Sequence, residues 1–145
     1  MKTIKLLFGT MIATVLLFTS CEKEEDMTDY TSTIDITEYD WKLLEVRTND
    51  SYYKNPSSDT RHILTFENDS MFFMNTTVNL AGGGYELITK GEISIFYNFI
   101  TEMCCDSEMD DMLVSQFSNI NTYKVLGNNL YFNGSNNLEI KFKQK

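Results

Sequence analysis

The sequence predicts a mainly β fold: a small, cracked antiparallel β-barrel or curved sheet of about eight strands, with one helix between the fifth and sixth. Three observations carry this. Short runs of apolar, β-branched and aromatic residues recur between turns rich in Gly, Asn and Asp, the spacing of a barrel or sandwich. The last run alternates, with Leu138, Ile140 and Phe142 to one face and Glu139, Lys141 and Lys143 to the other, as a half-buried strand requires. One stretch alone, Met109, Met112, Leu113, Phe117 and Ile120, repeats at helical spacing.

Trp41–Val46 opens the domain as a strand. Thr48–Arg61 is polar, holds the only proline, Pro56, and reads as a loop. His62–Phe66 and Met71–Val78 form a hairpin about Glu67-Asn68-Asp69-Ser70. Asn79–Gly84 reads as a glycine turn. Tyr85–Thr89 and Glu92–Tyr97 make a second hairpin around Lys90-Gly91. Asp106 or Ser107 caps the helix, and Glu108, Asp110 and Asp111 match the positive end of its dipole. Thr122–Leu126, Leu130–Phe132 and Leu138–Phe142 close the chain across two Asn/Gly turns. Inward candidates are Leu64, Phe66, Phe73, Tyr85, Leu87, Ile93, Ile95, Leu138, Ile140 and Phe142. They are large enough to fill most of a small barrel.

The first twenty residues read as an export leader. Lys2 and Lys5 precede a short apolar run from Leu6 to Phe18, too short to span a bilayer. The run ends in Leu17-Phe18-Thr19-Ser20-Cys21, which resembles a bacterial lipoprotein box. The expectation is a signal peptide over 1–20, lipidation of Cys21 with acyl chains such as palmitate, and a membrane partner reached through that anchor. The acidic run Glu22-Lys23-Glu24-Glu25-Asp26 resembles the surface-export signal of Bacteroidota lipoproteins. It predicts an outer-membrane protein facing outward. Residues 21–39 then form an acidic flexible tether, and 40–145 the folded domain.

With 145 residues, net charge −9 and pI near 4.5, the chain is one acidic domain. Nucleic acid is excluded as a partner, because its phosphates need cations. His62, the single histidine, lacks an accompanying nucleophile motif and reads as an edge or turn residue. Cys104, Cys105, Asp106, Glu108, Asp110 and Asp111 fit neither zinc nor calcium spacing. The acids read as a solvated helix start. No catalytic residue, metal or cofactor is expected. With Cys21 acylated, Cys104 and Cys105 are the remaining thiols. They stay reduced, form a vicinal disulfide or pair between chains, and a mainly structural bend is favoured over a redox site. Asp69-Ser70-Met71 resembles the Bacteroidota O-glycosylation sequon, making Ser70 a candidate for a glycan. The Met and Phe excess reads as core, with an adaptable ligand pocket as the alternative.

Gly83-Gly84-Tyr85, then Thr101-x-Met103-x-Cys105, then a helix leading to a strand, resembles the META domain family, of the heat-shock protein HslJ type. Thr77-Val78-Asn79 falls on that family's Gly-Cys-Asn, with Asn79 kept and Val78 in place of cysteine. The resemblance covers roughly Trp41 to the C-terminus. It implies a cracked barrel with the helix at its opening and an envelope location rather than a defined reaction. The functional expectation is non-catalytic: envelope maintenance, stress response or partner binding through the Thr48–Arg61 loop and Asn-rich turns. The alternative is a lipocalin-like carrier of a small hydrophobic ligand.

Overall fold

The computed structural model of the chain describes residues 35–67 and 70–145. The leader, Cys21, the acidic run, Asp69 and most of the tether lie outside the described residues. Among those described there are nine strands: β1 (Trp41–Arg47), β2 (Tyr52–Lys54), β3 (Ile63–Phe66), β4 (Met71–Asn75), β5 (Leu80–Thr89), β6 (Glu92–Ile100), β7 (Ile120–Leu126), β8 (Asn129–Gly134) and β9 (Leu138–Gln144). A single α-helix, α1 (Glu108–Phe117), joins β6 to β7, and a 3-10 turn (Ile36–Glu38) precedes β1.

Eight strands close an antiparallel ring in the order β1-β3-β4-β5-β6-β7-β8-β9, with β9 returning to β1. The ninth, β2, lies in the segment the sequence marks as a loop. It forms because β1 changes partner along its length. Trp41 and Lys42 pair with β3, while Glu45, Val46 and Arg47 pair with β2. Asn55 ties off the intervening bulge: its backbone N–H donates to the Leu44 carbonyl at 2.8 Å and its Nδ2 to the Leu43 carbonyl at 3.1 Å. With β2 counted, the helix falls between the sixth and seventh strands.

The ring is thinnest between β6 and β7, whose one paired position is Glu92 with Thr122, assisted by the Tyr123 N–H donating to the Gly91 carbonyl at 2.9 Å. This seam is the crack of the barrel, and α1 is the connection between its two strands. Leu113 and Phe117 of α1 are fully buried, with Met109, Met112 and Val114 packed at the margin. The Phe117 ring meets Phe72 of β4 at 5.4 Å and Phe132 of β8 at 6.0 Å. Phe132 in turn meets Phe142 of β9 at 5.9 Å, and Phe66 meets Tyr85 at 4.8 Å. Rings from opposite walls and from the helix thus interlock across the interior. Below β1, Trp41 Nε1 donates to the Ile36 carbonyl at 2.8 Å. That bond places Ile36 in the core, so packing begins before residue 40.

Two expectations change. The glycine run is not a turn: Gly82, Gly83 and Gly84 lie inside β5, opposite Phe73, Phe72 and Met71 on one side and β6 on the other. The reason is steric. A Cβ at Gly82 would sit 2.6 Å from the Phe99 ring, and one at Gly84 would touch Phe96 at 3.7 Å. The glycines leave the sheet bare so that aromatic rings from β6 can lie across it. The chain instead turns at Thr76–Asn79. Phe73 and Leu87 also differ from the inward set. Phe73 is half-buried and meets Phe99 at 6.4 Å, while Phe72 and Met74 take the interior. Leu87 is exposed in the hairpin tip, beside a register shift at Leu87/Thr89.

Candidate functional site

A polar latch sits where the Thr76–Asn79 turn, the Thr101–Asp106 bend and the first turn of α1 converge. Asn79 is its hub. Nδ2 donates to the Met103 carbonyl at 2.9 Å and to Asp106 Oδ2 at 2.6 Å. Oδ1 accepts from Thr101 Oγ1 and from the Met103 N–H, both at 2.8 Å. The amide therefore makes four bonds, the full complement of a buried Asn. Asp106 Oδ1 accepts from Thr76 Oγ1 at 3.0 Å and the Val78 N–H at 3.4 Å. At the position where the resembled pattern has cysteine, Val78 thus contributes its backbone to the latch.

Ser107, rather than Asp106, caps α1, in a reciprocal box with Asp110. Asp110 is not solvated: its side chain is fully buried. Oδ2 accepts from the Ser107 N–H and hydroxyl at 2.9 and 2.8 Å. Oδ1 accepts from the Thr77 N–H at 3.3 Å and from His62 Nε2 at 2.7 Å. Burial pushes the Asp110 carboxyl up, but the bonds from Thr77, Ser107 and His62 outweigh it and hold its pKa below the ordinary value. Glu108 and Asp111 remain exposed, as a helix start in solvent should be.

His62 lies immediately before β3 with φ of 50°, and it is buried rather than at an edge. Because an ionised Asp110 can only accept, Nε2 carries the proton in that bond. Nδ1 lies 3.4 Å from Asp59 Oδ2, without hydrogen-bond geometry. Asp59 is itself clasped by Arg61, whose Nε and Nη2 donate at 3.0 and 2.9 Å. That clasp outweighs desolvation and holds the Asp59 carboxyl down at about 2. His62 thereby pins the helix N-terminus to the start of β3. Sequence spacing could not reveal this, since His62 and Asp110 are 48 residues apart.

Cys104 and Cys105 are both exposed free thiols, with their sulfurs 2.9 Å apart. Cys105 has φ of 83°, the left-handed region. The hydrogen bond to Cys104 raises the Cys105 pKa. Ser70 is exposed at the β3–β4 turn with φ of 67°, and its carbonyl accepts from the Tyr85 N–H at 2.8 Å. Among the described residues no group of three His, Cys, Asp or Glu could hold a metal ion.

Away from the latch, a cleft of about 490 Å³ opens beside the bulge of β1, lined by Leu44, Glu45, Lys54, Asn55, Pro56, Ser57 and Lys141. Asn55 Oδ1 is buried there without a hydrogen-bond partner. Most of the lining comes from the segment expected to carry recognition. The sequence reading missed a second surface. Phe96, Phe99 and Ile100 of β6 are exposed, and the glycine run under two of the rings was the signal for it.

A closed small barrel with a helix joining the strands of its seam, latched by Asn79 and the Thr101–Asp106 bend, defines the class. The META domain profile matches residues 34–145, and the chain belongs to the META domain family. Among solved structures it is similar to a protein from Burkholderia xenovorans solved by NMR (TM-score 0.60, 16% identity, covering 76% of this chain and 83% of that one). It is also similar to a DUF4847 family protein from Bacteroides vulgatus solved by crystallography (TM-score 0.55, 13% identity, covering 74% and 93%). At such identities the likeness is one of fold. No curated protein matches significantly. No helix among the described residues is long and apolar enough to cross a membrane.

Proposed function

We propose that this META domain is a non-catalytic, partner-binding module of the cell envelope, tethered to the outer membrane by acylated Cys21 and displayed outward. The observation that carries the binding reading is the filled interior. Phe66, Phe72, Phe117, Phe132 and Phe142 are fully buried and in ring contact across the barrel. A carrier needs that volume for its ligand, so the packing favours recognition on the outside. His62 favours the same reading, because its Nε2 bond is committed to Asp110 in a buried site. The cleft beside Lys54, Asn55 and Ser57 offers the concavity, on a loop carried by a rigid scaffold. The anchor and outward display rest on the leader, the Cys21 box and the acidic run; Ser70, exposed in its turn, stays the proposed O-glycan site.

The test uses the host cell. Metabolic fatty-acid label should mark the wild-type protein and be lost from Cys21→Ala, and protease added to intact cells should remove the wild-type domain. Cross-linking on those cells should join the protein to a defined envelope partner, and Lys54→Glu with Ser57→Trp should abolish that product without lowering the melting temperature. Label retained by Cys21→Ala refutes the anchor. An unaltered cross-link in the cleft variant refutes the binding site. The intact mass of the same protein reads the Ser70 modification.

A further inference from the structure

We propose that Cys104 and Cys105 form a reversible two-electron redox site, interconverting between a dithiol and a vicinal disulfide. Both sulfurs are exposed, and they are already 2.9 Å apart, with the Cys105 S–H donating to Cys104 Sγ. The segment cannot relax away from this arrangement, because it is clamped on both sides. Met103, immediately before the pair, has both its N–H and its carbonyl bonded to Asn79. Asp106, immediately after, is bonded to Thr76, Val78 and Asn79. Between the clamps Cys105 holds φ of 83°, a conformation that side-chain-bearing residues seldom adopt. Such outliers persist where surrounding structure over-determines them, and they concentrate at functional sites.

The chemistry balances with a hydroperoxide as oxidant. One sulfur, as thiolate, attacks the peroxide oxygen. The O–O bond breaks, a sulfenic acid forms, and the peroxide leaves as water or an alcohol. The second thiol then attacks the sulfenic sulfur, the S–S bond forms, and the S–O bond breaks with loss of water. A small dithiol supplies two electrons and two protons for the return by thiol–disulfide exchange. Adjacent Cα atoms stand about 3.8 Å apart across a trans peptide, less than the roughly 4.4 Å at which ordinary disulfides begin. The ring is therefore strained, and strained, exposed disulfides are the readily reduced ones. The clamps oppose this by holding the two thiols together, so the folded chain should favour the disulfide more than an unfolded Cys-Cys sequence does.

The full chain supplies the test, since trypsin releases both sulfurs in one peptide, Gly91–Lys124, with no other cysteine. After dithiothreitol and then one equivalent of hydrogen peroxide, this peptide should lose two hydrogens and take up no alkylating agent. Renewed dithiothreitol should restore both alkylation sites. Phenylarsine oxide, which bridges paired thiols, should bind only the reduced chain. In one glutathione buffer the disulfide-to-dithiol ratio of the native chain should exceed that of the urea-unfolded chain by about tenfold or more. Asn79→Ala, which releases Met103, should move the ratio toward the unfolded value. The proposal is overturned by a peptide that stays fully alkylatable, by bridges to Cys21 or to another chain, by sulfinic acid as the main product, or by a native ratio no higher than the unfolded one.

Discussion

Asn79→Asp is the sharpest test of the latch, because it changes one atom type and almost no volume. In the wild type Nδ2 donates 2.6 Å to Asp106 Oδ2 and 2.9 Å to the Met103 carbonyl. The substitution replaces that donor with a carboxylate oxygen. It removes a bond to a charged acceptor, worth about 1.5–3 kcal/mol, and a neutral one worth about 1 kcal/mol. It also brings two like charges together. The expected loss is about 3–5 kcal/mol, or roughly 12–20 °C in melting temperature at about 4 °C per kcal/mol. Asn79→Ala breaks all four bonds without creating repulsion, and on the same values should cost at least as much, about 4–6 kcal/mol. The double variant Asn79→Asp/Asp106→Asn swaps the two groups. The new amide can still accept from Thr76 and Val78 while donating to residue 79, although the carboxylate still opposes the Met103 carbonyl. About half the loss should return, giving a coupling of at least about 1.5 kcal/mol in a double-mutant cycle. Urea unfolding of the wild type, Asn79→Asp, Asp106→Asn and the double variant measures it. A double variant no more stable than Asn79→Asp alone would refute the geometry assigned to the latch.

Two further outcomes concern the helix and its approach. Leu113→Ala leaves a hole in a fully buried site and should cost about 2–5 kcal/mol in denaturant unfolding; an unchanged midpoint would mean that α1 does not pack against the barrel. Asp59 has a folded pKa of about 2 against an ordinary 3.8, so its contribution is fully present above about pH 4 and fades as pH falls toward 2. Arg61 is half-exposed, and solvent screening reduces that contribution to about 1 kcal/mol. Asp59→Asn should therefore lose about 1 kcal/mol at pH 7, and the gap from wild type should close by pH 2. A gap independent of pH would show that the Arg61 clasp is not its source.

The strands with clean alternation were legible, because period-two burial is written directly into residues such as Leu138, Ile140 and Phe142. The α1 stripe was legible for the same reason at period 3.6, and Leu113 and Phe117 do bury. The glycine run was misread because its cause is tertiary: nothing local says that Phe99 of the next strand will lie across Gly82. β2 escaped because three polar and aromatic residues form a strand only when β1 exchanges partners at its bulge. Phe73 exchanged faces with Phe72 because Met71–Asn75 is apolar at four consecutive positions, which leaves the register undetermined by pattern alone. The buried carboxylate of Asp110 was invisible for a different reason. Its neighbours Glu108 and Asp111 have the same composition and are exposed, and only the distant His62 and Thr77 distinguish it.

The residues that carry the family resemblance are thereby given a physical task. Thr101 and Met103 bond Asn79 directly, and the Asp106 carboxylate after the cysteines closes the same ring of bonds. A barrel whose β6–β7 seam has one paired position depends on its connecting segment being fixed at both ends. At the far end of α1, β7 resumes the sheet three residues after Phe117. At the near end the latch holds the bend to the β4–β5 turn through Asn79, while His62 and Thr77 hold Asp110 to β3 and to that turn. The helix therefore does not rely on apolar burial alone, which is non-directional and would let it slide along the seam. Directional bonds to two separate segments, the start of β3 and the β4–β5 turn, fix its position, and the motif is accordingly part of the scaffold. Between the two clamps stand only Cys104 and Cys105, whose thiols are exposed and outside that network.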